Sequence, residues 1–173
     1  MILVLIDMLK IRKAKLKDLN EITKIYNEAI LKTVATFDTE IKTLQEQKTW
    51  FENHGSKNPI FVAEYDGFVV GWASLSQWSD RCAYSDTAEI SLYVKEKYQG
   101  KGIGKKLMES ILKEGEKVGL HAIIARITQG NKLSVHLHKK FGFKHIGVMK
   151  EVGQKFGKCL DVYLMEKIYQ QKI

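Results

Sequence analysis

Residues 92–106 read LYVKEKYQGKGIGKK, in which an apolar run passes through a glycine-rich turn into a basic segment. The run begins at Thr87 and ends at Val94, and its β-branched and aromatic residues predict a strand. From Gly102 to Val118, apolar residues recur at helical spacing with charged residues between them. Glycine lets the backbone take positive φ and approach a ligand, and the first N–H groups of a helix lack intrahelical partners. A strand, a glycine turn and a helix in this order therefore favour a site for phosphate groups.

The turn differs from two common phosphate-binding patterns. A Walker A loop needs Ser or Thr after its lysine, and none stands there. Gly100, Gly102 and Gly104 also do not form the G-x-G-x-x-G pattern of dinucleotide-binding domains. The turn does match Q-x-x-G-x-G, from Gln99 to Gly104.

Periodicity and turn residues on both sides predict a mixed α/β domain. Asp66-Gly67 between two apolar runs predicts a hairpin, and capping boxes at Asp18–Glu21 and Thr43–Glu46 predict two helix starts. The predicted strands are 9–14, 60–65, 68–76, 87–94, 122–127, 144–151 and 158–166. The predicted helices begin near 18, 43, 102 and 132.

Composition limits the function classes. The chain has 173 residues, a net charge of +8, 45% hydrophobic residues and one proline, which fits one folded domain and argues against disorder. The charge points to an anionic partner: nucleic acid, a membrane surface or a phosphate-bearing small molecule.

The ends and the cysteines lead to further expectations. We expect an N-terminal extension at 1–8, one domain at 9–168 and a tail at 169–173; residues 1–7 could also pair as an edge strand. The apolar start lacks the features of a signal peptide, and two cysteines without metal-ligand spacing predict neither a disulfide framework nor a metal site. Reduced thiols favour a cytoplasmic location.

A second motif lies about thirty residues after the first. Residues 131–143 read NKLSVHLHKKFGF, which resembles N-x-x-S-x-x-L-[HY]-x-x-x-G-F. With the Q-x-x-G-x-G turn, it resembles the GNAT superfamily of N-acetyltransferases. That resemblance implies a mostly antiparallel, twisted sheet of about seven strands, splayed at the site of acetyl-CoA and flanked by about four helices.

Other segments resemble the phosphinothricin acetyltransferase subfamily: 35–40, 50–51, 78–84, 153–157 and 160–162. The likeness extends from about Leu9 to Lys167. It implies transfer of an acetyl group to the α-amine of a small amino acid or analogue, such as phosphinothricin, methionine sulfoximine or methionine sulfone. It also implies a homodimer that binds no nucleic acid and no membrane.

The resemblance implies two catalytic residues. Direct transfer needs a neutral amine, so a base must remove a proton from the ammonium group. Glu89 matches the family's carboxylate, and His138 matches the subfamily's histidine, which could share the base role or assist the leaving thiolate. Glu89, His138 and a water remain alternatives for the base.

The resemblance also assigns the cofactor contacts. The turn would cradle the pyrophosphate, pantetheine would lie along the backbone of β-strand residues 92 and 94, and the Val94 N–H would stabilise the thioester oxygen. The expected acetyl-CoA residues are Leu92, Tyr93, Val94, Gln99, Gly100, Lys101, Gly102, Ile103, Gly104, Lys105, Asn131 and Ser134.

A free amino acid needs a clamp for its carboxylate. Arg81 and Tyr84 are the candidates, because arginine offers a bidentate fork. Phe37 and Trp78 could form the wall of the side-chain pocket.

Two other functions stay open. One is acetylation of another amine, such as a polyamine, an antibiotic or a protein N-terminus. The other is a non-enzymatic nucleic-acid-binding domain, although no zinc-finger, helix-turn-helix or RNP signature is present. Residues 95–106 and 132–150 each carry five lysines, with one acid in the first run and none in the second. Because these runs coincide with the two motifs, the positive charge indicates lysines around the rim of a cofactor site.

Overall fold

The computed structural model describes residues 9–170, and within this range it contains seven strands and four α-helices. The strands are β1 (Leu9–Lys13), β2 (Ile60–Tyr65), β3 (Phe68–Gln77), β4 (Thr87–Val94), β5 (Ala122–Thr128), β6 (Lys144–Lys155) and β7 (Lys158–Ile168). The α-helices are α1 (Leu19–Lys32), α2 (Leu44–Glu52), α3 (Ile103–Lys117) and α4 (Lys132–Lys140). The predicted mixed α/β class is confirmed. The predicted extension at 1–8, with its alternative as an edge strand, and tail residues 171–173 lie outside the described residues.

The strands form one sheet in the order β1-β2-β3-β4-β5-β7-β6. Every neighbouring pair is antiparallel except β4 and β5. Residues Thr87–Glu89 of β4 pair with residues Ala122–Ile124 of β5, and beyond them the two strands separate. β4 stays paired with β3 as far as Val94. The predicted splayed sheet is confirmed, and the gap lies in the middle of the sheet.

Apolar side chains cover both faces of the sheet. On one face α3 packs against the first four strands, with Leu107, Met108 and Ile111 fully buried. On the other face α1 and α2 cover a second core that includes Ile22 and Trp72. The helices are therefore held by their apolar stripes, as their periodicity predicts.

Local turn and cap chemistry is mostly as predicted. Asp66 and Gly67 both have positive φ, which is the backbone of a tight hairpin turn. At α2, the Thr43 hydroxyl accepts a hydrogen bond from the Glu46 N–H, and the Glu46 carboxylate accepts one from the Thr43 N–H. This reciprocal pair is the predicted capping box.

The predicted capping box at Asp18 is wrong in its chemistry, although α1 does begin at Leu19. The Asp18 carboxylate accepts two hydrogen bonds from Arg12, at 2.7 and 2.9 Å, and one from the Lys15 N–H. Arg12 also donates to Glu64 on β2. Burial raises the pKa of Asp18, but these hydrogen bonds outweigh burial and leave the pKa below its ordinary value. An ion pair with a residue of β1 thus takes the carboxylate that local sequence assigns to the helix.

The last two strands are longer than predicted and meet at the Phe156-Gly157 turn. Gly153 lies within β6 against the ring of Phe37, and a Cβ atom there would clash with that ring. The side chain of Lys155 is buried and donates to the Thr36 carbonyl. The hairpin therefore fixes the loop that carries Phe37. Tyr169, in the predicted tail, is buried and donates to the Leu112 carbonyl.

The Arg12 ion pair leads to a stability prediction. Arg12→Leu leaves the Asp18 carboxylate buried without its partner, so we expect the free energy of unfolding to fall by about 3 kcal/mol. Urea unfolding followed by circular dichroism measures this change.

Lys13→Leu is the matched control, because Lys13 is exposed and pairs with Glu114 at the surface. The free energy of unfolding of Lys13→Leu should stay within about 1 kcal/mol of the wild-type value. Equal losses in the two variants would contradict the special role of Arg12.

Candidate active site

A cavity of about 1340 Å³ lies where β4 and β5 separate. Both sequence motifs contribute to its walls, since Gly100, Gly102, Asn131 and Ser134 line it. The gap in the sheet therefore brings together two segments that lie about thirty residues apart in the sequence.

The glycine turn presents free backbone donors. Gly100 and Gly102 have φ of 72° and 80°, and nothing lies within 4 Å of a Cβ placed on either. The first hydrogen bond of α3 runs from the Lys106 N–H to the Gly102 carbonyl. The N–H groups of Ile103, Gly104 and Lys105 therefore precede the helical ladder. These donors at the positive end of a 15-residue helix suit an anion.

Two residues predicted at this turn do not line the cavity with the others. Ile103 is buried in the core under α3. Lys101 is exposed, with its ammonium 5.2 Å from the centre of the Tyr98 ring. Lys105 and Gln99 do line the cavity, and the Gln99 amide donates to the Val94 carbonyl.

The free edge of β4 faces the gap. The Lys95 N–H donates a hydrogen bond to the Val70 carbonyl of β3. The backbone N–H groups of successive residues point to alternate edges of a strand. The N–H groups of Leu92 and Val94 therefore point away from β3, and both residues line the cavity, as does the intervening Tyr93.

The second motif forms the start of α4. The Asn131 side chain accepts a hydrogen bond from the Ser134 N–H at 3.1 Å and so caps the helix. His138 lies one turn further on and is 6% exposed. Its Nδ1 donates to the Ser134 carbonyl at 2.8 Å, which leaves Nε2 without the proton. Burial lowers the pKa of His138, so its ring is neutral at pH 7.

Glu89 forms an ion pair in the cavity wall. Arg126 of β5 donates to both carboxylate oxygens, at 2.5 and 2.7 Å, through Nε and Nη2. These hydrogen bonds raise the pKa of Arg126. The ring of Trp78 lies 5.8 Å from the Arg126 guanidinium. The pairing was missed from sequence, although one arginine in the apolar run 122–127 is a signal for it.

The predicted substrate residues separate in the structure. Phe37 lines the cavity, whereas Trp78 contacts it only through Arg126. Arg81 and Tyr84 are exposed around a short 3-10 helix, Cys82–Tyr84, and line no part of the cavity. Among the described residues, Arg126 is thus the cation beside Glu89.

Further polar residues on the same face were not anticipated. Ser76 lines the cavity and is the cross-strand partner of Glu89. His54 donates from Nδ1 to the Trp50 carbonyl at 2.7 Å, so its Nε2 accepts from the Ser76 hydroxyl at 3.0 Å. Burial lowers the pKa of His54. This pair fixes the hydroxyl group beside the carboxylate.

Residues 9–170 contain neither a metal-ligand cluster nor a membrane-spanning helix. No cluster of three or more His, Cys, Asp or Glu residues in this range could hold a metal ion. The helices in the same range are too short or too polar to cross a membrane.

Known proteins resemble this chain over most of its length. It is 37% identical to the L-methionine sulfoximine/L-methionine sulfone acetyltransferase of Pseudomonas aeruginosa, over 90% of this chain and 92% of that protein. It is 36% identical to the L-amino acid N-acyltransferase MnaT of Escherichia coli, over 91% and 92%.

A solved structure has the same fold. The phosphinothricin acetyltransferase of Sinorhizobium meliloti, in complex with AcCoA, has a TM-score of 0.89 and 34% identity, over 93% of this chain and 88% of that one. This similarity confirms the predicted fold. Residues 11–164 match the acetyltransferase (GNAT) domain family. The chain therefore belongs to the GNAT family and is an N-acetyltransferase.

Proposed function

We propose that the protein transfers the acetyl group of acetyl-CoA to the α-amine of a small amino acid or amino-acid analogue. The observation that carries this proposal is the Glu89–Arg126 pair in the cavity wall. A carboxylate beside a guanidinium complements the ammonium and carboxylate of a zwitterion. Because Glu89 uses Nε and Nη2 of Arg126, Nη1 remains for the substrate's carboxylate. Arg126 thus takes the role expected of Arg81 and Tyr84, and Phe37 lies in the same cavity. The names of the amino-acid-specific relatives support the same substrate class.

The residues around the gap fit acetyl-CoA. Free N–H groups at the start of α3 would hold the pyrophosphate, and Lys105 adds positive charge. The backbone of Leu92 and Val94 would pair with the amide groups of pantetheine. When bound, acetyl-CoA supplies an acetyl thioester, whose carbonyl carbon is the electrophile.

Glu89 and His138 would handle the protons. Glu89 would accept the proton of the ammonium, directly or through a water. The Val94 N–H points into the gap, where it would stabilise negative charge on the thioester oxygen. His138 is buried and neutral with an unprotonated Nε2, so it suits a base better than a proton donor. The Ser76 hydroxyl lies on the Glu89 face and would help to orient the amine.

An amine panel tests the substrate class. We expect release of the CoA thiol to be fastest with methionine sulfone, methionine sulfoximine or phosphinothricin. A polyamine, an aminoglycoside and a peptide with a free N-terminus lack a carboxylate next to the reacting amine, so Arg126 would not recognise them.

The panel also decides between the alternatives. Faster turnover of the polyamine, the aminoglycoside or the peptide would contradict the amino-acid proposal in favour of that acceptor. No turnover of any amine in the panel would contradict the proposed substrate class.

Substitution of Glu89 tests the base. Glu89→Gln keeps the shape and can still accept a hydrogen bond from Arg126, but it cannot take a proton. We expect kcat to fall at least about a hundredfold. Affinity for CoA, measured by calorimetry, should stay within about twofold, because the glycine turn is untouched.

Glu109→Gln is the matched control, since Glu109 is an exposed carboxylate on α3 that does not line the cavity. It should leave kcat unchanged. If Glu89→Gln retained wild-type kcat, another group would be the base.

We also propose a cytoplasmic homodimer. β6 is at the edge of the sheet and exposes Ile146, Val148 and Val152, and the turn after it exposes Phe156. An exposed apolar edge strand is prone to pair with another chain. Cys82 and Cys159 are both exposed and free, which fits a reducing compartment.

Sedimentation equilibrium tests the dimer. We expect twice the chain mass for the wild type and the chain mass for Val152→Glu, because a carboxylate would be buried in the interface. Phe68→Glu, at an exposed apolar residue in the β2–β3 hairpin, is the control and should remain dimeric. A monomeric wild type would contradict the proposal.

A further inference from the structure

His54 and Ser76 form a hydrogen-bonded pair at the wall of the cavity. Ser76 lies near the end of β3, is partly exposed and lines the cavity, whereas His54 follows α2 and is not a lining residue. The His54 ring has two contacts with Trp50. Its Nδ1 donates to the Trp50 carbonyl at 2.7 Å, and the centres of the two rings are 4.5 Å apart. These contacts fix the imidazole with Nε2 directed at Ser76.

The direction of the hydrogen bond between the two side chains follows from the tautomer. A carbonyl oxygen can only accept, so Nδ1 of His54 carries the proton and Nε2 of the neutral ring is an acceptor. Burial lowers the pKa of His54, which keeps the ring neutral at pH 7. The Ser76 hydroxyl has a single proton and donates it to Nε2 at 3.0 Å. Toward the cavity, the Ser76 oxygen can therefore only accept.

Sheet register places this oxygen opposite Glu89. Ser76 and Glu89 are directly paired in β3 and β4, so their side chains lie on one face of the sheet with Cβ atoms about 5 Å apart. Both residues line the cavity. One nitrogen atom can thus lie within hydrogen-bond distance of both side chains. A carboxylate and a hydroxyl oxygen that both accept complement the N–H bonds of an ammonium group.

The acceptor on His54 also prevents a competing contact. A hydroxyl group opposite a carboxylate has a charged acceptor close by, and hydrogen bonds to charged groups are the stronger ones. Such a bond from Ser76 would lower the pKa of the Glu89 carboxyl group, which would weaken Glu89 as a base. It would also occupy lone pairs that the substrate's ammonium needs. Because His54 takes the Ser76 proton, this contact does not form.

We propose that His54 is a positioning residue for acetyl transfer. It fixes the Ser76 hydroxyl so that the oxygen receives a hydrogen bond from an N–H of the substrate amine while Glu89 takes the proton. This contact restricts rotation of the amine and thereby the direction of its lone pair. The inference rests on the proposed function and adds the two residues that hold the nitrogen beside Glu89. Neither Ser76 nor His54 gains or loses a proton in the reaction.

A double-mutant cycle on Ser76 and His54 tests the positioning role. His54→Phe keeps an aromatic ring beside Trp50 but offers no acceptor to Ser76, and Ser76→Ala removes the hydroxyl group. We expect each single substitution to lower kcat about tenfold, because the amine loses an oriented partner. In the Ser76→Ala background, His54→Phe should lower kcat by less than about twofold further, because it acts through the missing hydroxyl group.

Two further measurements distinguish positioning from structural support. His54→Gln offers an amide oxygen to Ser76 and should keep kcat within about threefold of the wild-type value. Affinity for CoA, measured by calorimetry, should stay within about twofold in every variant, because the glycine turn is untouched. Equal losses of kcat from His54→Phe in the two backgrounds would overturn the proposal, since a structural support acts whether or not the Ser76 hydroxyl is present.

His121→Phe and Ser56→Ala are the matched controls, because both residues are exposed and neither lines the cavity. Both variants should keep the wild-type kcat. A loss in either control as large as that in His54→Phe would overturn the assignment.

The choice of amine separates this proposal from the proposed function. The cycle is measured with whichever amine of the panel reacts fastest, so its result does not depend on the substrate class. Coupling between Ser76 and His54 with a polyamine as that amine would support the positioning role and contradict the amino-acid proposal. Independent losses with an amino acid would overturn the positioning role and leave the amino-acid proposal intact.

Discussion

The separation of β4 from β5 after Glu89 is the constraint on which the rest of the structure depends. A central strand normally has partners on both edges, because a buried N–H or C=O group without a partner is unfavourable. Here β4 pairs with β3 along one edge, and on its other edge the backbone groups of Leu92 and Val94 face a cavity. The Gln99 side chain satisfies the Val94 carbonyl. The unpaired edge of β4 is therefore free to pair with an extended, amide-bearing ligand in the place of a missing strand.

Opposite charges meet where the two strands begin to separate. Glu89 is in the last paired row, and Arg126 is two residues beyond its partner Ile124. The pair is partly accessible, with side-chain exposures of 21% for Glu89 and 52% for Arg126. An accessible pair is worth little as a stabilising contact and can exchange partners with a charged ligand. The ion pair with Arg126 is therefore compatible with the base role that we propose for Glu89.

The sequence predicts the parts of this arrangement that depend on neighbouring residues. The Asp66-Gly67 turn, the Thr43 cap and the glycine turn each follow from a few adjacent side chains. Asp18 shows the limit, since its carboxylate has a local role available but binds Arg12 instead. Arg126 and His54 acquire their partners through strand register and helix packing, which no local pattern specifies. The predicted clamp at Arg81 depended on residue type alone, and the structure places that residue outside the cavity.

Alternate residues of β4 direct their side chains to opposite faces of the sheet. Leu92 and Val94 direct their backbone into the gap, while their side chains pack in the core beneath α3. Glu89, Ser91 and Tyr93 direct their side chains to the opposite face, which α1 and α2 cover. A shift of register by one residue would exchange these faces and disrupt both proposed sites. The same periodicity that makes this segment a strand therefore keeps the backbone proposed to bind the cofactor apart from the side chains proposed to face the acceptor.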